Sequence, residues 1–289
     1  MDGIVVVNKE KNYTSRDVVN IISKVYNTKK VGHTGTLDPL AEGVLIVCLN
    51  RALKVSEFIT SDDKEYLATV VLGIETDTLD IEGNVVYSSN KKVCREDIEN
   101  VLKKFIGKIK QEVPLYSAVK VNGKKLYQYA REKKEVKLPV KEVVVYNLKL
   151  ASDLFCYDKK IAFQIKCLVS KGCYIRSLIR DIGRSLGTYG TMVDLIRTKQ
   201  AGIPISLASK IDDIKNGKNK VYKIEDIIKL PKVIVPDEFL IKIKNGAVVD
   251  SFFDEERVFV TNKDGSIIAI YEKNNIDSKC HLVKMINNQ

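Results

Sequence analysis

Residues 32–47 read Gly-His-Thr-Gly-Thr-Leu-Asp-Pro-Leu-Ala-Glu-Gly-Val-Leu-Ile-Val. Three glycines, a proline and a histidine around one aspartate are typical of a tightly folded polar loop. The apolar run at residues 44–47 predicts that a buried strand follows this loop. A carboxylate on a loop that is carried by a rigid strand is well placed to face a ligand, so Asp38 is the candidate reactive residue.

The dipeptide Asp38-Pro39 also has a purely structural interpretation. Aspartate followed by proline is typical of a helix start, where the carboxylate accepts backbone N–H bonds and proline occupies the first helical position. Helix caps are far commoner than nucleophiles, so the dipeptide alone favours a cap. The two interpretations predict different surroundings for the carboxylate.

The size and charge of the chain limit its class. Its 289 residues suffice for one large domain, or for a large and a small one. The formal net charge of +11 and the pI of about 9.2 indicate a polyanionic partner, and lysine carries most of the excess. A lysine-rich surface can equally be a solvated one, so charge alone does not decide for nucleic acid.

The remaining composition argues against membrane and metal proteins. The N-terminal apolar run is too short for a signal peptide and no later run could span a membrane, so we expect a cytoplasmic protein. Six cysteines without a Cys-x-x-Cys pair favour buried thiols over a zinc site or disulfides. The acidic cluster Asp77, Asp80 and Glu82 lacks calcium-loop spacing, so we expect turn-forming side chains and no metal site.

Hydrophobic patterns predict the main elements and a domain boundary. Strands are predicted at residues 3–8, 64–73, 143–150, 161–169 and 188–198. Helices are predicted after the capping sequence at 14–17, at 51–58, at 95–105, from about 174, and at 224–230. A Lys- and Asn-rich loop at 215–220 and the proline at 231 divide the chain into domains at 1–230 and 231–289. In the second domain, Asp264-Gly265 between two apolar runs predicts a β-hairpin.

A basic segment at residues 120–137 contains seven Lys or Arg against two Glu, with Tyr127 and Tyr129 among them. Basic side chains interleaved with aromatic rings suit the phosphates and bases of a nucleic acid. A solvated helix with Glu–Lys pairs is an equally good interpretation of these residues alone.

Tyr66 and Arg176 are further candidates. Tyr66 lies near the start of a predicted strand, where tyrosine is most often a half-buried cross-strand partner. Arg176 lies in the first turn of a predicted helix, where a cation costs about 0.3–1 kcal/mol against the helix dipole unless an anion is nearby. We therefore expect a carboxylate beside Arg176, with a side chain folded over the surface as the alternative.

Four separated stretches resemble motifs of the TruB family, the tRNA pseudouridine-55 synthases. The first is the run at 32–45 quoted above. The second is Lys-x-Tyr at 64–66, followed by Gly-x-x-Thr-Asp-Thr-x-Asp-x-x-Gly at 73–83. The third is Pro-Leu-Tyr-Ser-Ala-Val-Lys at 114–120 with the basic segment after it, and the fourth is Ser-Lys-Gly-x-Tyr-Ile-Arg at 170–176. Lys9 is followed by Glu-Lys-Asn, where the family tends to have Lys-Pro and a glycine, so its role stays open.

The resemblance implies a fold. It is an α+β fold with a mixed, largely antiparallel sheet flanked by helices, in a catalytic domain at 1–230. An RNA-gripping insertion is implied at about 120–140, in which Lys124, Lys125 and Tyr127 bind RNA. Residues 231–289 would form a small barrel-like, PUA-like domain.

The resemblance also implies an activity. A monomer would isomerise uridine to pseudouridine at position 55, in the T-loop of tRNA, without a metal or redox cofactor. Asp38 would act at C1′ or at the 2′ position of an extruded nucleotide, and Arg176 would pair with it. Tyr66 would lie against the base and accept the C5 proton. The other implied substrate contacts are Lys64, Tyr174, Leu195 and, in the gap left in the RNA loop, His33.

Two other classes remain open. The chain could be a non-catalytic RNA-binding protein, but the joint presence of Asp38, Tyr66 and Arg176 argues against this. It could be another carboxylate enzyme such as a phosphate-ester hydrolase. The sequence has neither a phosphate-cradling glycine-rich loop ahead of a helix nor clustered metal-binding carboxylates, which argues against that class.

Overall fold

The computed structural model describes residues 1–274, 276 and 278–287. The strands are β1 (Gly3–Lys9), β2 (Val31–His33), β3 (Glu42–Leu49), β4 (Lys64–Leu72), β5 (Ile74–Thr76), β6 (Val85–Ser88), β7 (Gly107–Glu112), β8 (Lys120–Val121), β9 (Lys124–Lys125), β10 (Val140–Leu150), β11 (Phe155–Tyr157), β12 (Lys160–Val169), β13 (Gly190–Gln200), β14 (Ile203–Pro204), β15 (Ser209–Lys210), β16 (Val221–Tyr222), β17 (Lys232–Ile234), β18 (Val249–Asp250), β19 (Arg257–Thr261), β20 (Ile267–Asn274) and β21 (Lys279–Met285). The helices are α1 (Ser15–Val25), α2 (Ser56–Ser61), α3 (Arg95–Lys104), α4 (Leu126–Arg131), α5 (Ile175–Ser185), α6 (Ile211–Lys215), α7 (Ile224–Ile227) and α8 (Asp237–Lys244), with 3-10 turns at Asn50–Val55 and Ile205–Leu207.

The large sheet is mixed and mostly antiparallel. Its main order is β15-β1-β3-β13-β4-β12-β10-β7. Neighbours in this order pair antiparallel, except that β1 is parallel to β15 and β3 is parallel to β13. The predicted α+β class with a largely antiparallel sheet is therefore confirmed.

Apolar clusters cover both faces of this sheet. Val5 and Val7 of β1 belong to the cluster that contains α1 and α5, whereas Ile4 and Val6 belong to a cluster on the opposite face. This alternation follows from the two-residue period of a strand. The same period puts Tyr66 on the buried face of β4.

Helix α1 starts as the sequence predicts. The Thr14 side chain accepts a hydrogen bond from the Asp17 backbone N–H, and the Asp17 carboxylate accepts one from the Thr14 N–H, which forms a capping box. Two predicted helices have different bounds. The one at 51–58 is a 3-10 turn followed by α2, and the one at 224–230 ends at Ile227. The chain becomes extended at Ile228, shortly before a proline that disfavours helix in the residue preceding it.

The C-terminal region forms a separate five-stranded sheet, in the order β17-β19-β20-β21-β18, that curls into a half-barrel. The predicted hairpin is present as β19 and β20, with Gly265 at a φ of 80° in its turn. An apolar cluster joins this sheet to the rest of the protein. In this cluster, Val55 packs with Phe259, Ile270 and Ile286. Within the described residues, no helix has the length and apolar character needed to cross a membrane.

Candidate active site

The Asp38 loop, residues 34–41, connects the paired strands β2 and β3 and is held against the start of α1. The Ser15 hydroxyl donates to the Leu37 carbonyl at 3.1 Å and accepts from the Leu37 N–H at 2.9 Å. The buried Lys9 Nζ donates to the Pro39 carbonyl at 3.3 Å and to the Tyr13 carbonyl at 2.7 Å. Lys9 therefore ties the residue next to Asp38 to the chain ahead of α1.

Arg197 holds the other side of this loop. Its side chain is only 1% exposed, and the guanidinium donates to the carbonyls of Val44 at 2.6 Å, Gly35 at 3.0 Å and Thr36 at 3.4 Å. Gly43 permits the close approach of β3 and β13, because a Cβ there would lie 2.3 Å from the Arg197 carbonyl oxygen. We did not predict this role of Arg197. The available signal was an arginine inside the strand predicted at 188–198, because a charge that becomes buried in a sheet needs partners.

The Asp38 carboxylate pairs with Arg176. Arg176 Nη2 lies 3.0 Å from Asp38 Oδ2 and also donates to the Tyr116 carbonyl at 3.0 Å. Arg176 Nη1 donates to the Thr78 carbonyl at 3.0 Å and lies 3.6 Å from Asp80 Oδ2. The Arg176 side chain is 7% exposed and that of Asp38 is 37% exposed, so a fixed cation holds a carboxylate that solvent can reach.

The helix-cap interpretation of Asp38-Pro39 does not describe this loop. The Ala41 N–H donates to the Asp38 carbonyl at 3.0 Å, which closes a turn, and strand β3 follows without a helix. The acidic cluster of the second motif does form turns, as we expected. Asp77 accepts from the Asn84 N–H at 2.9 Å, and Asp80 accepts from the Thr78 hydroxyl at 2.6 Å.

Tyr66 is 7% exposed and lies beside Arg197 on the strand next to β13. Burial raises the pKa of the Tyr66 phenol, while the charge of Arg197 and its hydrogen bond to the phenol oppose this rise. The phenol is therefore neutral at pH 7, and Arg197 is the group that would stabilise its phenolate.

One cavity of about 270 Å³ brings most of the predicted site residues together. This volume lies just below the range of about 300–1,000 Å³ that is typical of ligand pockets, which suits a small planar group. Six of the ten predicted residues line it: Asp38, Lys64, Tyr66, Tyr174, Arg176 and Leu195. Its wall also includes Ser117 and Lys171, which stand in two of the quoted motifs but were not among the predicted site residues.

Lys64 reaches the cavity from the start of β4. Its Nζ donates to the backbone carbonyls of Thr60 and Asp62. Burial lowers the pKa of Lys64 to about 8, and the nearby cations Arg197 and Lys171 act in the same direction. An ammonium group with a reduced pKa would be stabilised by an incoming anion.

His33 is close to the Asp38 loop but does not line the cavity. Its Nδ1 accepts the Gly35 N–H at 3.3 Å. Burial and the neighbouring cations Arg197 and Arg16 lower the pKa of His33, so the ring is neutral at pH 7.

The other three predicted residues lie on the insertion, away from the cavity wall. Lys124 Nζ is 5.1 Å from the Tyr129 ring centroid and pairs with Glu132, and Lys125 Nζ is 5.6 Å from the centroid of Tyr127. These contacts are of cation–π type and hold the basic side chains against aromatic rings. The insertion joins the cavity through its backbone, because the Tyr127 N–H donates to the Ser117 carbonyl at 3.1 Å.

This arrangement combines an accessible carboxylate, a buried guanidinium that aims it, a phenol and apolar walls. Such a site can stabilise or trap positive charge on a sugar carbon, and it can move a proton at a flat ring. Within the described part of the chain, no group of three or more His, Cys, Asp or Glu side chains is arranged to hold a metal ion.

Comparisons with known proteins agree on one family. The family model described as TruB family pseudouridylate synthase (N terminal domain) matches residues 23–175. The tRNA pseudouridine synthase B of Caldanaerobacter subterraneus subsp. tengcongensis is 40% identical over 279 residues, which cover 96% of this chain and 93% of the relative. The protein of the same name from Fusobacterium nucleatum subsp. nucleatum is 49% identical over 202 residues, which cover 70% of this chain and 68% of the relative.

Solved structures give the same fold at lower sequence identity. A chain in the crystal structure of a Cbf5-Nop10-Gar1 complex matches with a TM-score of 0.70 and 24% identity, over 98% of this chain and 84% of that one. A chain in the archaeal box H/ACA sRNP Nop10-Cbf5 complex matches with a TM-score of 0.68 and 21% identity, over 98% of this chain and 86% of that one. With a family model over half of its length and relatives at 40% identity over nearly all of it, this chain belongs to the TruB family of pseudouridylate synthases, which isomerise uridine to pseudouridine.

Proposed function

We propose that this protein isomerises one uridine in the T-loop of tRNA, at position 55, to pseudouridine. The observation that carries the proposal is the ion pair between Asp38 and Arg176 at a cavity that Tyr66 also lines. Relatives named tRNA pseudouridine synthase B support tRNA as the substrate class. The net charge of +11 supports a polyanionic partner.

The reaction needs no net oxidation. The N1–C1′ bond breaks, the base turns, and C5 bonds to C1′. The hydrogen on C5 then leaves as a proton, and N1 gains a proton. Asp38 either adds to C1′ as the base departs or abstracts the 2′ proton of the sugar, and a carboxylate suits both routes.

Arg176 aims the carboxylate and balances its charge. A guanidinium presents several N–H donors in a rigid plane, and here they are divided between Asp38, Asp80 and two backbone carbonyls. Because Arg176 is nearly buried, its charge is weakly screened by solvent, and it holds the Asp38 carboxylate at 3.0 Å.

The target base must leave the RNA stack to reach this cavity, at an unstacking cost of a few kcal/mol. Tyr66, Tyr174 and Leu195 would pack against the extruded base, and His33 would occupy the gap in the RNA loop. Tyr66 would receive the C5 proton at the end. Because the buried phenol is neutral at pH 7, it must first give its own proton to N1, which gains a proton in the reaction, and the charge and hydrogen bond of Arg197 would stabilise the phenolate formed in between.

The rest of the chain would recognise tRNA outside the reacting nucleotide. We assign catalysis to a domain at 1–230 and a PUA-like role to residues 231–289. Lys124, Lys125 and Tyr127 of the insertion would grip the T-arm, and Lys64 would contact RNA at the cavity. We propose a monomer, since residues of one chain line the cavity, and we propose that it acts in the cytoplasm.

Tritium release from tRNA labelled with 5-³H-uridine tests this proposal, because C5 loses its hydrogen only when C5 bonds to C1′. We expect the wild type to release about one equivalent of label per tRNA and the Asp38→Asn variant to release none while still binding tRNA. A transcript with cytidine at the T-loop target is the control and should release none. Release from that control would refute the T-loop assignment, and binding without release by the wild type would leave only an RNA-binding protein.

A further inference from the structure

Ser117 has a buried hydroxyl on the wall of the Asp38 cavity. The residue is 8% exposed, and its Oγ makes no hydrogen bond of normal geometry with any residue that the structure describes. A buried hydroxyl without a partner costs about 1–3 kcal/mol. Such a group on a cavity wall points to a partner that the ligand supplies.

Ser117 and Asp38 line the same cavity, and the backbone just before Ser117 lies close to the Asp38 carboxylate. Arg176 Nη2 contacts both the Asp38 carboxylate and the carbonyl of Tyr116, the residue before Ser117, each at 3.0 Å. The Tyr174 phenol is near the Ser117 hydroxyl and the Asp38 carboxylate. Burial and the charge of Asp38 raise the pKa of the Tyr174 phenol, and an interaction with the Ser117 hydroxyl that lacks normal hydrogen-bond geometry opposes this rise. Two hydroxyls and the carboxylate are therefore neighbours.

We propose that the Ser117 and Tyr174 hydroxyls bind the ribose 2′-hydroxyl of the extruded uridine and so select RNA over DNA. This inference rests on the proposed function, in which Asp38 meets C1′. The 2′-hydroxyl is bonded to the carbon next to C1′, so it reaches the Asp38 end of the cavity. The base itself would pack against Tyr66 and Leu195, which line the same cavity.

Hydroxyl chemistry fits this pairing. Each of the three groups can donate one hydrogen bond and accept others, so the 2′-hydroxyl can bridge the two side chains without a net charge. The 2′-hydroxyl is also the feature that distinguishes RNA from DNA at a single nucleotide. The Ser117 backbone is fixed for this task, since its carbonyl accepts the Tyr127 N–H and its N–H donates to the Leu115 carbonyl at 3.0 Å.

A binding experiment with paired RNA and protein variants tests the proposal. T-arm RNAs that carry uridine, 2′-deoxyuridine or 2′-fluorouridine at the target are titrated against the Asp38→Asn protein and against the same protein with Ser117→Ala, Ser117→Thr or Tyr174→Phe. The fluoro sugar controls for sugar pucker, because it keeps a ribose-like pucker but cannot donate. Persistent turnover with Asp38→Asn would contradict the proposed function itself and is therefore distinguishable from failure of this inference.

With Ser117 intact, we expect uridine RNA to bind about five-fold more tightly than either sugar variant, as one hydrogen bond predicts. Ser117→Ala should reduce this affinity ratio to below two-fold, because it weakens the binding of uridine RNA and leaves that of the sugar variants unchanged. Ser117→Thr should restore the ratio. If Ser117→Ala does not fold, Tyr174→Phe takes its place, and loss of the affinity ratio in that variant supports the proposal. A ratio that persists in both variants overturns the proposal.

Thr188 provides a matched control. Its Oγ1 is also buried without a hydrogen-bond partner among the described residues, but it does not line the cavity. Thr188→Val should leave the preference for uridine RNA unchanged. An equal loss of preference in Thr188→Val and Ser117→Ala would assign the effect to general loosening and contradict the proposal.

Discussion

Two buried arginines contact the Asp38 loop at different groups. Arg197 binds the loop backbone at Gly35 and Thr36, whereas Arg176 binds the Asp38 carboxylate. One arginine therefore fixes where the loop lies and the other fixes where the reactive oxygens point. This division predicts different consequences when the residues are changed.

Arg176→Lys keeps the positive charge but loses the planar set of donors. An ammonium group cannot reach Asp38, Asp80 and two carbonyls in the same geometry. We expect kcat to fall by about 100-fold, close to 3 kcal/mol, while Kd for tRNA changes less than three-fold. Single-turnover kinetics and filter binding measure the two quantities. Equal losses in both would show that Arg176 acts mainly in binding.

Tyr66→Phe removes the phenol oxygen and keeps the ring. The ring should still pack against the extruded base, so we expect tRNA binding close to that of the wild type. The C5 proton would lack its acceptor, so the variant should form the C5–C1′ bond and stall before the mature product is released. Rapid-quench analysis of the RNA detects such an intermediate. Full activity in this variant would remove Tyr66 from the proton transfer.

Lys9 makes the stability of the protein depend on pH. Burial lowers the pKa of Lys9 from 10.5 to about 8. Between these two values the unfolded chain holds a proton that the folded chain has lost, so the contribution of Lys9 to the free energy of unfolding rises with pH. The wild type should therefore gain stability relative to Lys9→Met from pH 8 to pH 10. Urea denaturation across this range measures the difference, and a constant difference would contradict the prediction.

The sequence indicated the residues that line the cavity more clearly than the residues that hold them in place. Asp38, Tyr66 and Arg176 stand in motifs whose spacing can be read directly from the chain. The contacts of Arg197 with Gly35 and Val44 depend on the parallel pairing of β13 with β3, across about 150 residues of sequence. Local patterns carry no information about such a pairing, so the sequence shows an arginine within a predicted strand but does not identify its partners.

At the scale of elements, helix α5 places Arg176 through its packing against β13. Leu178, Ile179 and Ile182 form the apolar side of this helix, as their spacing at the helical period predicts. The helix can lie close to β13 only because Gly183 faces Gly190, where an added Cβ would be 2.3 Å from the Gly190 nitrogen. This contact could not be predicted from local patterns, because two glycines on different elements form it.

Gly183→Ala should therefore displace α5 from the sheet. Overpacking of this kind typically costs about 1–3 kcal/mol, and we expect a loss of that size in the free energy of unfolding. Turnover should fall as well, since the helix carries Arg176. Ser185→Ala, at an exposed position of the same helix, is the control and should change stability by less than about 0.5 kcal/mol. Equal stability of the two variants would show that the helix can accept the methyl group.

At the scale of the whole molecule, the positive charge is distributed unequally between residues 1–230 and residues 231–289. Residues 231–289 contain eight Lys or Arg and nine Asp or Glu, so the whole positive excess lies in residues 1–230. The insertion with Lys124 and Lys125 belongs to this basic part. Electrostatic attraction of RNA should therefore come from the part of the chain that contains the cavity.

The salt dependence of binding tests this distribution. Each phosphate contact contributes about 0.7–0.9 to the slope of log K against log salt. The double variant Lys124→Gln, Lys125→Gln should reduce that slope for tRNA by about 1.4–1.8. The matched double variant Lys242→Gln, Lys244→Gln in α8 should leave it unchanged. A larger reduction with the α8 pair would assign the RNA contacts to the C-terminal sheet.

The central claim is that one extruded uridine lies between Asp38, Tyr66 and Arg176. The most direct measurement is a crystal structure of the Asp38→Asn protein with T-arm RNA. We predict that the target base is out of the stack against Tyr66, with its C1′ about 3–3.5 Å from the side chain of residue 38. A uridine that stays stacked in the RNA, or that enters a different cavity, would contradict this account.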